Sequence, residues 1–464
     1  MDLLSLPAGT LLDLAVGAPL LIGALLLLLG RFLPVSGLAL AGNLAALPAL
    51  FQLGFLVTEG RLGAPSPVGN LALSPVGAAL FGMTVVVGAA ALHKALRQLP
   101  VVELPHAYLG LTLLLWGGTL GAFACQLTRP SGVLAAYVLH EVALIPTFVL
   151  TLFWGGEGRR AAAMQMAIYL TLGAMVGLAG LIACDFTPGL AGPGAIGAIL
   201  LGFGALVSLF PFHSWAAPGY SAAPTPAAMI HAGALKKFGL LLILTFCVGN
   251  LGPWSNLLLG LALANTVLLG LICLAQRDLK QLVSWSSVAH MGPIFLGLWV
   301  ADRTGKAEGL AAAVLLMVAH GLAAAALFAL SNEVRTKTGT YRIEDLGGLA
   351  GRAPVLAACF IAASMASVGL PGFGNFWGEF GIFLALRDQS LWIQAAAAST
   401  VVISAIYMLR AAAAVFHGPT NPALASHPDT GDLAWADRLA PLALLAASLG
   451  VGFLPSVITR LLQP

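Results

Sequence analysis

The chain has 464 residues, 59% of them hydrophobic, with only 21 Lys+Arg and 18 Asp+Glu, or 8% charged, and a formal net charge of +3. A soluble protein carries about 25% charged residues, so a soluble multidomain enzyme, a nucleic-acid binder and a disordered chain are excluded, and the mean hydropathy of +0.96 agrees. The composition is that of an all-α polytopic membrane protein.

A span needs about 20 mostly apolar residues. Cutting at charged, Pro and Gly clusters predicts about fourteen, at 13–32, 34–58, 73–95, 104–126, 132–154, 160–183, 194–217, 224–248, 253–275, 281–300, 309–331, 353–386, 391–415 and 437–460. The apolar runs are continuous and lack the ten-residue alternation of a barrel. No cationic n-region or A-x-A site precedes Leu11–Arg31, so the first span reads as retained. Connections after odd-numbered spans carry Arg31, Lys94, Arg97, Arg159, Arg160, Arg277, Lys280, Arg335, Lys337, Arg342 and Arg352; the opposite set carries Arg61, Arg129, Arg303, Lys306, Arg387 and Arg460. Eleven against six places the first set in the cytoplasm and both termini outside.

The longest polar connection, Ser331 to Arg352, is too short for a catalytic domain, and no phosphate-binding glycine motif is present. Cys125, Cys184, Cys247, Cys273 and Cys359 show no metal or disulfide spacing. No metal or cofactor site is expected on this chain.

Ionisable residues inside spans cost several kcal/mol and point to function. Glu141 lies mid-span in Ala136-Tyr137-Val138-Leu139-His140-Glu141-Val142-Ala143. It is either half of an ion pair locking two helices or a proton-transfer group whose affinity the surroundings tune. Lys236 and Lys237 sit together in the eighth span. Neighbours on a helix point about 100° apart, so at most one is expected to face a given partner while the other snorkels or faces a second cavity. Glu379 follows Gly369-Leu370-Pro371-Gly372-Phe373-Gly374, which predicts a broken helix; Phe210-Pro211-Phe212-His213-Ser214-Trp215, with Pro218, Pro224 and Pro226, predicts another. Two broken helices in corresponding halves are the mark of inverted-repeat transporters. His290 and His320 are lone histidines in apolar spans, readable as core residues or as proton carriers bridging Lys237 and Glu379. Arg410 reads as a structural or snorkelling cation.

Together these segments resemble the antiporter-like membrane subunits of NADH:quinone oxidoreductase (respiratory complex I), most closely the chain M type. The resemblance rests on His140-Glu141-Val142-Ala143-Leu144-Ile145-Pro146, Phe210-Pro211-Phe212-His213-Ser214-Trp215, Ala223-Pro224-Thr225, Arg277-Asp278-Leu279-Lys280-Gln281-Leu282 through His290-Met291-Gly292, His320-Gly321, Gly347-Gly348-Leu349, and Gly369-Leu370-Pro371-Gly372 with Gly378-Glu379-Phe380. It implies fourteen helices with two inverted five-helix repeats, arranged as 1–103 N-terminal helices, 104–250 and 251–415 repeats, and a 416–464 C-terminal helix. Glu141, Lys237 and Glu379 match the family's mid-membrane acids and lysine, and His290 and His320 match histidines proposed to join the halves. The lysine that the family places five residues before the proline of the seventh span is Leu206 here. Lys236, or a protonated His140 or His213, is the expected substitute.

The resemblance implies a proton-translocating subunit of a complex I-type enzyme, an enzyme only as part of a translocase, with NADH, flavin, iron–sulfur clusters and quinone on partner subunits. It also implies sister antiporter-like chains as neighbours, in a lipid setting without nucleic acid, in a bacterial inner membrane. A multi-chain cation/proton antiporter, a membrane-bound hydrogenase, and a structural spacer with a decayed path remain alternatives. Electron donor, quinone type, stoichiometry and organism are not legible.

Overall fold

A computed structural model describes residues 8–59, 66, 69–422 and 431–462 of the chain; Arg61, counted above, lies outside them. Among the described residues the fold is helical, with isolated bridges (Leu71 with Cys125, Asp278 with Arg342) as the β-pairing. Eleven helices are long and apolar enough to cross a membrane. The expected spans at 194–217, 281–300 and 353–386 fall on helices that are short or interrupted.

The chain forms two compact units: Met1–Leu206 with Ala222–Asn250 and Ser456–Pro464, and Val207–Ser221 with Leu251–Pro455. In unit one, α1 (Ala8–Leu29), α2 (Val35–Glu59), α3 (Pro75–Gln98), α4 (Pro105–Ala124), α5 (Pro130–Trp154), α6 (Arg159–Ala183) and α7 (Pro193–Leu206) run in order. The helices α3, α4, α5 and α7 each begin on a proline, which has no N–H to leave unsatisfied at a first turn. α4 is buried between α1, α3 and α5, and α6 packs along α7. After the short α8 (Ala216–Ala222), the eighth span is built from α9 (Thr225–Ile230), a π turn at His231–Leu235 and α10 (Lys237–Phe246).

Unit two holds α11 (Ser255–Ala264), a π turn at Asn265–Leu269, α12 (Gly270–Leu274), α13 (Leu279–Ala289), α14 (Met291–Thr304), α15 (Ala307–Thr338), α16 (Pro354–Val368), α17 (Gly374–Ala385), α18 (Leu391–Phe416) and α19 (Trp435–Phe453). α15 is its axis, enclosed over its apolar length and packed by α13, α14, α16, α17 and α19. Its 32 residues reach roughly 48 Å at 1.5 Å per residue, more than the ~30 Å hydrocarbon core. Its Glu333–Thr338 end carries Glu333 and Lys337, which are buried, and Arg335.

Both expected interruptions are present. α7 ends at Leu206 and regular helix resumes only at Ala216; α16 ends at Val368 and α17 starts at Gly374. Gly369 takes φ +82°, a left-handed turn open to glycine without a Cβ penalty. The two π turns contain no proline and were not foreseen.

At the start of α16, Asp432 accepts the N–H groups of Val355 (2.9 Å) and Leu356 (3.2 Å), as well as that of Leu433 (2.7 Å). Burial pushes its carboxyl up, but these three amides and the Arg438 guanidinium outweigh that and hold it below the usual carboxylate range. A depressed folded value stabilises above the unfolded one, near pH 4, and the contribution fades as pH falls further. Asp432→Ala is expected to destabilise by about 1 kcal/mol at neutral pH, as lost caps do. In thermal unfolding, the difference from wild type should be largest at neutral pH and shrink as pH falls below about 4.

Candidate functional site

Among the described residues, the acids and lysines singled out from the sequence fall in two clusters, one in each unit. In unit one the cluster begins on α5. His140 is 1% exposed, and its Nδ1 lies 3.6 Å from Glu141 Oε1, whose side chain is 33% exposed. Tyr137 lies one turn earlier on the same helix. The His140 ring stacks on Phe238 with centroids 4.5 Å apart, which brings it beside α10.

The π turn at His231–Leu235 shapes the other side. Its wide turn sends the Lys236 N–H to the His231 carbonyl at 3.2 Å. The Ala232 carbonyl, which an α-helix would give to that N–H, accepts the Lys237 ammonium at 2.8 Å. His231 lies near enough to Lys236, His140 and Lys237 to feel their charges. Both lysines are buried, Lys236 at 1% and Lys237 at 0% exposed. Of the two expectations for the second lysine, snorkelling is corrected, because the eighth span is 94% buried; facing a second cavity is the alternative that burial leaves.

Leu206 is the last residue of α7, buried, and lies against Gly173 of α6. His140 Nδ1 is 3.6 Å from Glu141 Oε1; His140 is one of the residues that the sequence offered, beside Lys236, in place of the absent lysine.

The second cluster, in unit two, is assembled at the break between α16 and α17. Glu379 is 2% exposed and its Oε1 lies 3.9 Å from His290 Nε2. A Cβ on Gly369 would sit 2.6 Å from Glu379 Oε2, so the glycine both makes the turn and clears room for the carboxylate. His290 faces a backbone carbonyl with each nitrogen: Nδ1 is 2.8 Å from Ser286 O and Nε2 is 3.1 Å from Ser367 O. A carbonyl can only accept, so a ring carrying hydrogen on both nitrogens satisfies both contacts. The His320 ring stacks on His290 at 5.3 Å, and its Nε2 is 3.1 Å from the Ser287 hydroxyl. Thus His290, His320 and Glu379 come together as one buried group.

Three further side chains complete it and were not singled out from the sequence. The Tyr407 hydroxyl is 2.9 Å from Ser286 Oγ, itself 3.4 Å from His290 Nδ1. Asn375 donates to the Ser367 carbonyl at 3.3 Å, the same oxygen that His290 uses. The Ser286-Ser287 pair just ahead of His290 was the available signal: two hydroxyls on adjacent helix positions, facing two different histidines. His213 is not part of this group. It stacks between Phe210 (5.4 Å) and Trp285 (5.9 Å). Arg410 is exposed and reaches the Gln276 carbonyl at 3.5 Å.

Residues 193–404 match the family described as NADH:quinone oxidoreductase/Mrp antiporter, TM. NAD(P)H-quinone oxidoreductase chain 4 1 of Synechococcus sp. (strain JA-2-3B'a(2-13)) is 31% identical over 387 residues, covering 77% of this chain and 71% of that protein. The chain 4 1 of Synechococcus sp. (strain JA-3-3Ab) is 32% identical over 383 residues, with the same coverage. A chain of respiratory complex I from Thermus thermophilus with bound NADH superposes with a TM-score of 0.81 at 28% identity, covering 97% of each chain. A chain of the Mrp complex from Dietzia sp. DQ12-45-1b shares the fold, with a TM-score of 0.81 at 18% identity over 98% of this chain and 96% of that one. Motifs, identity and fold agree: the chain belongs to the NADH:quinone oxidoreductase/Mrp antiporter family, as an integral membrane subunit of the antiporter-like chain 4 (chain M) type.

Proposed function

We propose that this chain is a proton-translocating membrane subunit of a complex I-type NADH:quinone oxidoreductase. The observation that carries the reading is the fully buried His320–His290–Glu379 group at a helix break. An acid and two imidazoles are held at contact distance inside an otherwise apolar unit, where each costs several kcal/mol to insert. Such a group is suited to holding and passing protons.

Its chemistry follows from the distances. Glu379 Oε1 and His290 Nε2 stand 3.9 Å apart, close enough for charge on either to act directly on the other. A proton on His290 Nε2 can pass to Glu379 Oε1 once the carboxylate closes the 3.9 Å separation. His320, with Ser287 on one ring nitrogen, resupplies the group. Glu141 with His140, and Lys236 and Lys237 with His231, serve as a second site of proton exchange in the other unit. In this reading His140 takes the place of the cation missing at Leu206.

The reading extends to the setting. NADH, flavin, iron–sulfur clusters and quinone belong to partner subunits, this chain carries no redox centre, and sister antiporter-like chains flank it in lipid. The assembly sits in a bacterial plasma membrane with both termini on the periplasmic side, as the lysine and arginine bias favours.

Glu379→Gln keeps the size of the side chain and removes its exchangeable charge. In the assembled enzyme in vesicles, NADH-driven proton pumping should be lost while quinone reduction is partly retained; an unchanged ratio of protons pumped to NADH oxidised would overturn the reading. Tyr407→Phe deletes one hydroxyl from the chain of contacts to His290. At about 1 kcal/mol for a neutral hydrogen bond, it should lower the pumping rate about fivefold, measured in the same vesicles.

A further inference from the structure

Asn265 is a buried polar residue in a span that otherwise reads as apolar, and it stands first in the π turn between α11 and α12. Its side chain makes three hydrogen bonds, all to backbone. Oδ1 accepts the Phe210 N–H at 2.7 Å. Nδ2 donates to the Ser208 carbonyl at 3.0 Å and the Val288 carbonyl at 3.3 Å. Both amide hydrogens are thereby used.

Two of the three partners lie where the helical ladder is absent, and the third lies one residue before it is cut. Ser208 and Phe210 flank Leu209 in the irregular stretch after α7, where Ser208 takes φ +67° and no helical ladder serves the peptide groups. Val288 is the penultimate residue of α13, two before His290. Pro293, in the first turn of α14, has no N–H to give to the Ala289 carbonyl, so the ladder is also cut there. The junction is docked tightly on the π turn: a Cβ on Gly292 would lie 2.2 Å from Thr266 Oγ1 and 2.6 Å from the Thr266 nitrogen. One carboxamide thus ties the break after the seventh span to the helix end that presents His290.

We infer that Asn265 is a positioning residue of the proton path, a latch that sets where His290 stands relative to Ser367 and Glu379. The inference rests on the proton-transfer reading of the His290–Glu379 group. Asn265 touches neither side chain of that pair; it acts through the Val288 carbonyl and the seating of Gly292. The titratable groups facing His290 are Glu379 from α17, His320 from α15 and Tyr407 from α18, with Cys273 of α12 beside Tyr407. A shift of the α13 end changes His290's distance to all of them together.

The test uses the assembled enzyme in vesicles. Asn265→Asp retains the acceptor for Phe210 but removes both donors, and Asn265→Leu removes all three bonds. Both variants are expected to lose threefold or more in protons pumped per NADH oxidised, with quinone reduction maintained. The pH at which pumping is half-maximal should move by about half a unit or more. Asn265→Gln, which offers the same three groups, should recover at least half of the loss. A purely structural asparagine would lower only the yield of assembled complex; a wild-type ratio and pH profile per assembled complex would overturn the inference. If Asn265→Leu does not assemble, Asn265→Asp decides. Glu379→Gln run alongside separates the two ideas: if it stops pumping while the Asn265 variants pump normally, the latch alone is wrong.

Discussion

Hydrocarbon offers no hydrogen bonds, and every peptide group at membrane depth must therefore be satisfied by the chain itself. This constraint governs where the fold can be irregular. In unit two the stretch after α7 is tolerable because Asn265 supplies a donor and an acceptor to it. The break between α16 and α17 is tolerable because Asn375 and His290 bond the Ser367 carbonyl. In unit one, the carbonyl released by the π turn is taken by Lys237. In each case the backbone is repaired by a buried polar or ionisable side chain. Irregular backbone and ionisable chemistry occur together because each makes the other affordable.

The two clusters solve the problem of intramembrane charge differently. In unit two the acid is sealed in, its partners are imidazoles and hydroxyls, and the carboxylate is held beside a glycine turn. In unit one the basic residues are sealed in and the acid is the outlying member, one-third exposed on α5. Stacking of His140 on Phe238 links that acid's helix to the lysine-bearing one through an aromatic face. Leu206, packed on Gly173, marks where a cation would otherwise have stood.

The membrane class and most spans were legible because a continuous apolar run of twenty residues has few other uses. Both broken helices were legible because proline and clustered glycine leave chemical traces. Glu379, His290 and His320 were legible because charge and imidazole are costly in such runs. The π turns at His231–Leu235 and Asn265–Leu269 left no trace, since a π turn needs no special residue, only neighbours that reward the displaced carbonyl or side chain. Hence the joint burial of Lys236 and Lys237 was missed, as were Asn265, Ser286, Ser287, Tyr407 and Asn375. Uncharged polar residues are common in spans, where a hydroxyl can bond its own helix, as Thr266 does with Ala262. Only the folded arrangement distinguishes those turned inward on themselves from those turned toward a histidine.

The imidazole of His290 is gripped at both edges by main-chain oxygens. Turning the ring over would break both contacts at once, so the ring is the fixed terminal of the pair. The Glu379 carboxylate lies over the bare Cα of Gly369, where a Cβ would meet its Oε2 at 2.6 Å. A methyl group on that Cα would push the carboxylate from its seat, so the placement of one glutamate depends on a single carbon that residue 369 lacks.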